Sequence, residues 1–174
     1  GLIEHPTLEI IAASPDGITQ YDATMIEIKA PYSRVLSGTI PLNYWIQMQI
    51  QMETCNLNEC DFLETRFTEY ETREDYLNDI DFDKYKSTSI CNKYYRGIIL
   101  HFEQDNKPIY RYHDFAIDTD KIDEWENLQM EEYKHLTWIS TIYWKLSEIS
   151  CVLVLRNKLW FIKAQPYIKV LWEI

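Results

Sequence analysis

Apolar positions along the chain fall into short runs broken by turn formers, and the period of the runs changes several times. Leu8-Glu9-Ile10-Ile11-Ala12-Ala13 is short and mostly apolar. It ends at Ser14-Pro15-Asp16-Gly17, which predicts a buried strand followed by a turn. Gln20 to Thr24 is a polar connection, and Met25 to Ala30 reads as a second strand stopped by Pro31. The closeness of these two runs predicts an antiparallel pair. Tyr32 to Ile40 reads as a loop. Pro41 then opens a helix, because proline is accommodated in a first turn, and the helix runs to about Thr54. Cys60 to Phe67 alternates as a third strand. Tyr94 to Phe102 and Pro108 to Ile117 predict a hairpin turning at residues 104–107. Asp120 to about Leu136 reads as a helix, with Asp120 as N-cap and Asp123 and Glu124 near its positive end. Val152 to Leu155 and Leu159 to Lys163 predict a second hairpin, and the tail from Tyr167 a short helix or strand. That order predicts an α/β (α+β) domain built on a mixed sheet.

Composition narrows the class. A length of 174 residues suits one domain, and 46% hydrophobic with 26% charged residues is enough to build a core. Four Gly and six Pro argue against a disordered or fibrous chain. No run of apolar residues is long enough to span a membrane, so no membrane partner is expected. The sequence opens at Gly1 with neither a Met nor a charged-then-apolar leader, so it is expected to be a piece of a longer chain. Seventeen basic residues against 28 acidic ones leave a formal net charge of −11, which disfavours nonspecific binding to nucleic acid. Much of the excess is local: Glu69 to Asp83 holds seven acids against the single base Arg73, and reads as a solvated face. Cys55, Cys60, Cys91 and Cys151 lack zinc-site spacing and are expected to be reduced, mostly buried thiols of an intracellular protein.

Candidate chemistry sits in Ser14-Pro15-Asp16-Gly17 and Glu27-Ile28-Lys29. Side chains alternate faces along a strand, so Glu27 and Lys29 share one face while Ile26, Ile28 and Ala30 take the other and are expected to enter the core. Asp16 lies in the turn leaving the neighbouring strand and can approach Glu27. Two converging carboxylates repel unless a proton or cation lies between them, and a hard divalent cation with oxygen ligands answers that need. Such a cation lowers the pKa of a bound water and neutralises a phosphoryl transition state; Lys29 could orient or deprotonate the attacking water or stabilise the pentavalent phosphorus.

Pro-Asp-Gly followed by Glu-x-Lys resembles the PD-(D/E)XK nuclease signature. The longer pattern of Ala13 to Gly17, Glu27 to Pro31 and Tyr44-Trp45-Ile46-Gln47-Met48-Gln49 resembles the lambda-type exonucleases, also called YqaJ-like viral recombinases. The run through Glu53 and Cys60-Asp61-Phe62 is similar to the versions carried by large DNA viruses. The resemblance implies a restriction-endonuclease-like core with a mixed central sheet flanked by helices, here elaborated by C-terminal hairpins and helices. It implies a single nuclease domain over 1–174, with core motifs in 1–67, an acidic connection over 68–93 and the elaboration in 94–174. Asp16 and Glu27, with the backbone carbonyl of Ile28, would bind Mg²⁺, for which Mn²⁺ would substitute. Lys29 would be the catalytic lysine, and Gln47 would project towards it. Ser14 would brace the site, and Ser14, Arg34, Tyr44 and Gln51 would face DNA. Tyr44, Gln47 and Gln51 share one helical face. The family has a further acidic ligand on an upstream helix, and that helix is expected to be absent here.

The implied activity is Mg²⁺-dependent hydrolysis of DNA phosphodiester bonds, 5′ to 3′ from duplex ends, in viral recombination, repair or replication. The implied partners are double-stranded DNA ends, a single-strand annealing or recombination protein and, as one option, further copies of the chain. The implied setting is the cytoplasm or nucleus of an infected cell. The rival readings are a structure-specific endonuclease or nickase, and a catalytically impaired DNA-binding or scaffold module. Among the remaining residues, His5 reads as a loop residue, His101 and His113 as structural, and His135 as a helix end. Trp138, Trp144, Trp160 and Trp172 read as core anchors, and Lys93-Tyr94-Tyr95-Arg96 as further candidate phosphate contacts.

Overall fold

The computed structural model describes residues 1–79, 96–113 and 121–173. In chain order the elements are β1 (Ile3–Glu4), β2 (Ala12–Ala13), β3 (Gly17–Ile18), β4 (Met25–Lys29), α1 (Leu42–Thr54), β5 (Glu59–Glu69), α2 (Arg73–Asn78), β6 (Arg96–Gln104), β7 (Lys107–Tyr112), α3 (Ile122–Glu132), β8 (Thr137–Leu155) and α4 (Lys158–Trp172). They form two compact units, one of residues 1–65 with the segment from Ile149 onward, the other of residues 66–148. The strands β5 and β8 each lend residues to both. The architecture is the mixed α/β class with a mixed sheet and flanking helices, in keeping with a restriction-endonuclease-like fold.

In the first unit the strand order is β3-β4-β5-β8. The strands β3 and β4 pair antiparallel, with Gly17 opposite Ile26. The strands β4 and β5 pair parallel, with Glu27 opposite Phe62 and Lys29 opposite Glu64. Parallel neighbours need a crossover, and α1 supplies it. Its core is Met25, Met48, Met52, Cys60, Phe62 and Val154, with Ile40, Tyr44, Trp45 and Leu57 packed against it. The helix is pinned from the far end of the sequence: buried Gln49 donates to the Leu155 carbonyl at 3.0 Å and accepts from the Asn157 N–H at 2.6 Å. Arg156 donates to Glu53 at 2.7 Å.

Three expectations change in this unit. The run Leu8 to Ala13 is not one strand: the Ile11 N–H donates to the Leu8 carbonyl, turning the chain, and only Ala12–Ala13 is extended. That segment pairs with Ile3–Glu4, so the antiparallel partner of β4 is Gly17–Ile18. The predicted second hairpin is absent as well. Val152 to Leu155 ends the 19-residue β8, and Leu159 to Lys163 belongs to α4, which continues through Pro166 and the tail. The Asn157 side chain accepts from the Trp160 N–H and starts that helix, a cap the turn reading overlooked.

In the second unit the order is β5-β8-β6-β7. The predicted hairpin is present as β6 and β7, joined by Asp105 and Asn106, both at positive φ, as a two-residue turn requires. The short helix α2 carries a capping box between Thr72 and Asp75. It occupies part of the acidic stretch, whose residues Asp81 and Asp83 lie outside the described residues. Asp79 departs from a solvated face: Lys145 at 2.9 Å and the Tyr70 hydroxyl at 2.7 Å donate to it. Helix α3 begins at Ile122 with Asp123 and Glu124 in its first turn, ends at Glu132 short of His135, and the expected cap Asp120 lies outside the described residues. Tyr76, Ile98 and Ile122 form this unit's core, with Tyr70, Trp125 and Tyr143 against it.

Candidate active site

The strand β4 carries the site on the side opposite to the one its pattern suggested. Met25 and Glu27 are buried, at 0% and 1% exposure, whereas Ile28 is 46% exposed and Ile26 only half-buried. The reason is α1: Met48 and Met52 pack over the Met25 face together with Phe62 and Cys60. Alternation then carries Glu27 beneath the helix and leaves Ile28 outside. A carboxylate in such a place must be paired and hydrogen-bonded. Lys29, half-buried on the same face, forms an ion pair with Glu27 Oε1. Gln47 Nε2 donates to the same oxygen at 2.6 Å, and Gln51 Nε2 donates to Oε2 at 2.9 Å. The face of α1 that carries Tyr44, Gln47 and Gln51 is thus turned onto β4.

Asp16 stands one step before Gly17, which is opposite Ile26, so the antiparallel register sets Asp16 against Glu27. Its Oδ2 accepts the Ile28 N–H at 2.7 Å, tying the turn to the strand. Asp16, Glu27, Ile28, Lys29 and Gln47 are therefore brought together in one unit. Ser14 is exposed and lines a cleft of about 430 Å³ together with Ala12, Asn43, Gln47 and Gln51. Gln51 is 5% exposed and bonded to Glu27, which makes it a support of that carboxylate at the floor of the cleft. Among the described residues no three His, Cys, Asp or Glu side chains gather to hold a metal. The oxygen donors are two carboxylates and a backbone carbonyl.

Sequence reasoning missed Glu64. It is 0% exposed, lies beside Lys29 across the parallel strands, and forms an ion pair with Arg34. The signal was present: alternation puts Glu64 on the Cys60 and Phe62 face, an acid at an apolar position. Tyr44 packs on Phe62 with ring centroids 5.7 Å apart, and its ring is approached by Lys29 Nζ at 5.1 Å and by the Arg34 guanidinium at 5.8 Å. The thiol of Cys60 sits under this cluster. Burial first, then the negative charges of Glu27 and Asp61, pushes its pKa up to about 12.

Other candidates take structural positions. Arg96 donates to the Tyr76 and Asp79 carbonyls and lies over the Tyr76 ring, closing the end of α2; Lys93, Tyr94 and Tyr95 are outside the described residues. Trp144 and Trp160 are half-buried in edge-to-face contact with Phe67 and Trp45. Trp138 and Trp172 are exposed, at 49% and 68%, against the expectation of core anchors. His5 Nδ1 accepts the Thr7 and Leu8 N–H groups in its loop. His113 is buried against Trp125, and His101 stacks on Tyr110. Of the cysteines, Cys60 is buried, Cys55 half-buried and Cys151 exposed, and Cys91 is outside the described residues.

Residues 1–58 match the model of the YqaJ-like viral recombinase domain. The chain is also similar to an uncharacterised protein of Acanthamoeba polyphaga mimivirus, 27% identical over 210 aligned positions that take in 99% of this chain. The chain spans 38% of that protein's length. The resemblance read from the motifs and the one to proteins of large DNA viruses are both found again here. No helix among the described residues is long and apolar enough to cross a membrane.

Proposed function

We propose that this protein is a Mg²⁺-dependent deoxyribonuclease that hydrolyses phosphodiester bonds from duplex DNA ends, 5′ to 3′, in recombination, repair or replication of a large DNA virus. One observation carries the reading: a buried glutamate on a central strand receives a lysine from its own strand and two glutamines from the crossover helix, with an aspartate across the register. A carboxylate placed so deeply contributes nothing to a core and is costly to bury, which argues for chemistry.

The donor set fits a hard divalent cation. It is all oxygen, and Mg²⁺ is commonly held by one or two carboxylates with waters and phosphate oxygens completing the shell. Asp16 Oδ2 and both oxygens of Glu27 already accept one or two hydrogen bonds, and each carboxylate retains lone pairs for a further partner. Asp16, Glu27 and the Ile28 carbonyl would hold the ion, and Mn²⁺ would substitute. The ion supplies activation of water and neutralisation of charge on the phosphoryl group.

The chain's own side chains supply the rest. Lys29 is held near the reacting centre by Glu27, and with its ammonium turned to the phosphate it stabilises the negative charge that develops there. Gln47 keeps one amide group on Glu27 and orients the attacking water. Gln51 fixes the far oxygen of Glu27, so the carboxylate cannot rotate away. Duplex ends are the substrate, a single-strand annealing protein the partner that takes the product strand, and the infected cell's cytoplasm or nucleus the setting. Incubation with linear and closed-circular duplex DNA and Mg²⁺ tests this directly. Loss of the linear DNA alone is expected; nicking of the circle would point to an endonuclease, and no cleavage with intact DNA binding to a scaffold module.

A further inference from the structure

Glu64 has no exposed surface, yet only one of its oxygens is engaged: Oε1 forms the ion pair with Arg34, and the buried Oε2 has no hydrogen-bond partner among the described residues. A half-satisfied buried carboxylate costs stability that a Leu or Val on the Cys60 and Phe62 face would not. Among the described residues it does not join Asp16 and Glu27 in a metal-binding set. Its position points to a different use. The parallel register sets it directly beside Lys29. The Lys29 ammonium and the Arg34 guanidinium approach the same Tyr44 ring, at 5.1 and 5.8 Å from its centroid. Lys29 thus stands between two buried carboxylates. One is Glu27 on its own strand, with which it is paired; the other is Glu64 on the neighbouring strand, with an oxygen to spare.

We infer that Glu64 is the second counter-ion of Lys29, a positioning residue that takes over the ammonium when a divalent cation occupies Glu27. The inference rests on the nuclease reading for the presence of that cation. In the metal-free protein Glu27 Oε1 serves both Lys29 and Gln47. Occupation of Glu27 by a cation withdraws that oxygen from Lys29 and sets like charges side by side in a partly buried place, where they are poorly screened. A lysine released with no acceptor nearby swings into solvent on its flexible stem. Glu64 Oε2 offers it an acceptor on the same face of the sheet, one strand over. An ammonium has three donors, so one can bind Glu64 while the others remain for the phosphate or the attacking water. The buried acid keeps Lys29 at the centre after its first partner is taken.

Metal affinity separates this role from a merely structural one. Mg²⁺ binding by the full chain is measured by calorimetry without DNA. Glu64→Gln is expected to weaken it about tenfold, the size of a charge-assisted hydrogen bond, because the displaced Lys29 then lacks an acceptor. In a Lys29→Met background there is no ammonium to displace, and the same substitution is expected to change affinity by less than about threefold. An equal loss in both backgrounds means that Glu64 acts by its charge alone or through Arg34, and overturns the inference. The wild type gives a second reading that holds even if Glu64→Gln fails to fold. With ¹⁵N-labelled lysine, the scalar coupling across the hydrogen bond of Lys29 Nζ should run to the Glu27 carboxyl carbon without metal and to the Glu64 carboxyl carbon with Mg²⁺. A coupling that stays on Glu27, or vanishes when Mg²⁺ is added, overturns the inference and leaves the nuclease reading intact if the wild type binds Mg²⁺ and cuts DNA. A wild type that neither binds Mg²⁺ nor cuts DNA overturns both.

Discussion

Gln51 reaches Glu27 from beneath α1 through a buried hydrogen bond of 2.9 Å, and this bond decides which way the carboxylate faces. Removing the amide leaves Glu27 Oε2 buried without that donor. Gln51→Ala is therefore expected to cost about 1–3 kcal/mol of stability and to lower cleavage as well, read by urea unfolding and by single-turnover assay. Gln51→Glu sets a second carboxylate against the first and should be the worse of the two.

Lys29→Ala removes the cation that accompanies Glu27 and, on the proposed mechanism, the group that meets the phosphate. Cleavage should fall by two orders of magnitude or more, on the order of what one lost transition-state contact costs, while circular dichroism stays native. Glu27→Gln should weaken Mg²⁺ binding in a calorimetric titration. Substantial cleavage remaining in both variants would remove the catalytic assignment.

Tyr143 donates its hydroxyl to Glu126 at 2.9 Å, and burial followed by that carboxylate pushes its pKa up to about 12, above the ordinary phenol value of about 10. The neutral phenol is the form the fold prefers. Between those two pH values the unfolded chain has lost this proton and the folded one has kept it, so stability falls as pH rises through that window. Tyr143 should be among the late-titrating tyrosines of the folded protein by phenolate absorbance, alongside Tyr76, whose phenol burial also pushes up, and Tyr143→Phe should make unfolding less dependent on pH there.

Cys60 has no exposed surface and its thiol titrates far above neutrality, whereas Cys151 is exposed. The thiolate is the reactive form. Alkylation of the native protein at mildly alkaline pH, mapped by mass spectrometry, should label Cys151 and spare Cys60 until denaturant is added.

Gly97 faces Trp144 across the β6–β8 pair, and a Cβ built there would meet the indole ring at 2.8 Å. The ring is a rigid body also held edge-on by Phe67. Gly97→Ala should cost about 1–3 kcal/mol, with a changed tryptophan emission reporting the displaced ring.

What was legible in the sequence was local. Asp16, Glu27, Lys29 and Gln47 could be found because a turn, a strand of period two and a helix opened by Pro41 each leave a short-range signature, and the motif fixed their spacing. The Asp105–Asn106 hairpin was visible for the same reason. The side on which β4 is buried was not, because Met25-Ile26-Glu27-Ile28-Lys29 offers apolar residues to both faces and only the landing of Met48 and Met52 selects one. Glu64 escaped because its importance comes from the parallel register with Lys29 and from Arg34, 30 positions away. Arg156-Asn157-Lys158 has the composition of a turn, which suggests a hairpin over 152–163, but Asn157 serves as a helix cap whose N–H is held by Gln49.

The anchoring of α1 by Leu155, Arg156 and Asn157 has a bearing on how the molecule comes into being. Gln49 and its two backbone partners are separated by 106 and 108 positions, so the helix bearing Gln47 cannot be clasped until nearly the whole segment has left the ribosome. Closing so wide a loop is slow, because chain entropy must be surrendered before the contact rewards it. Until that clasp forms, α1 lacks the anchor that helps hold Gln47 and Gln51 against Glu27.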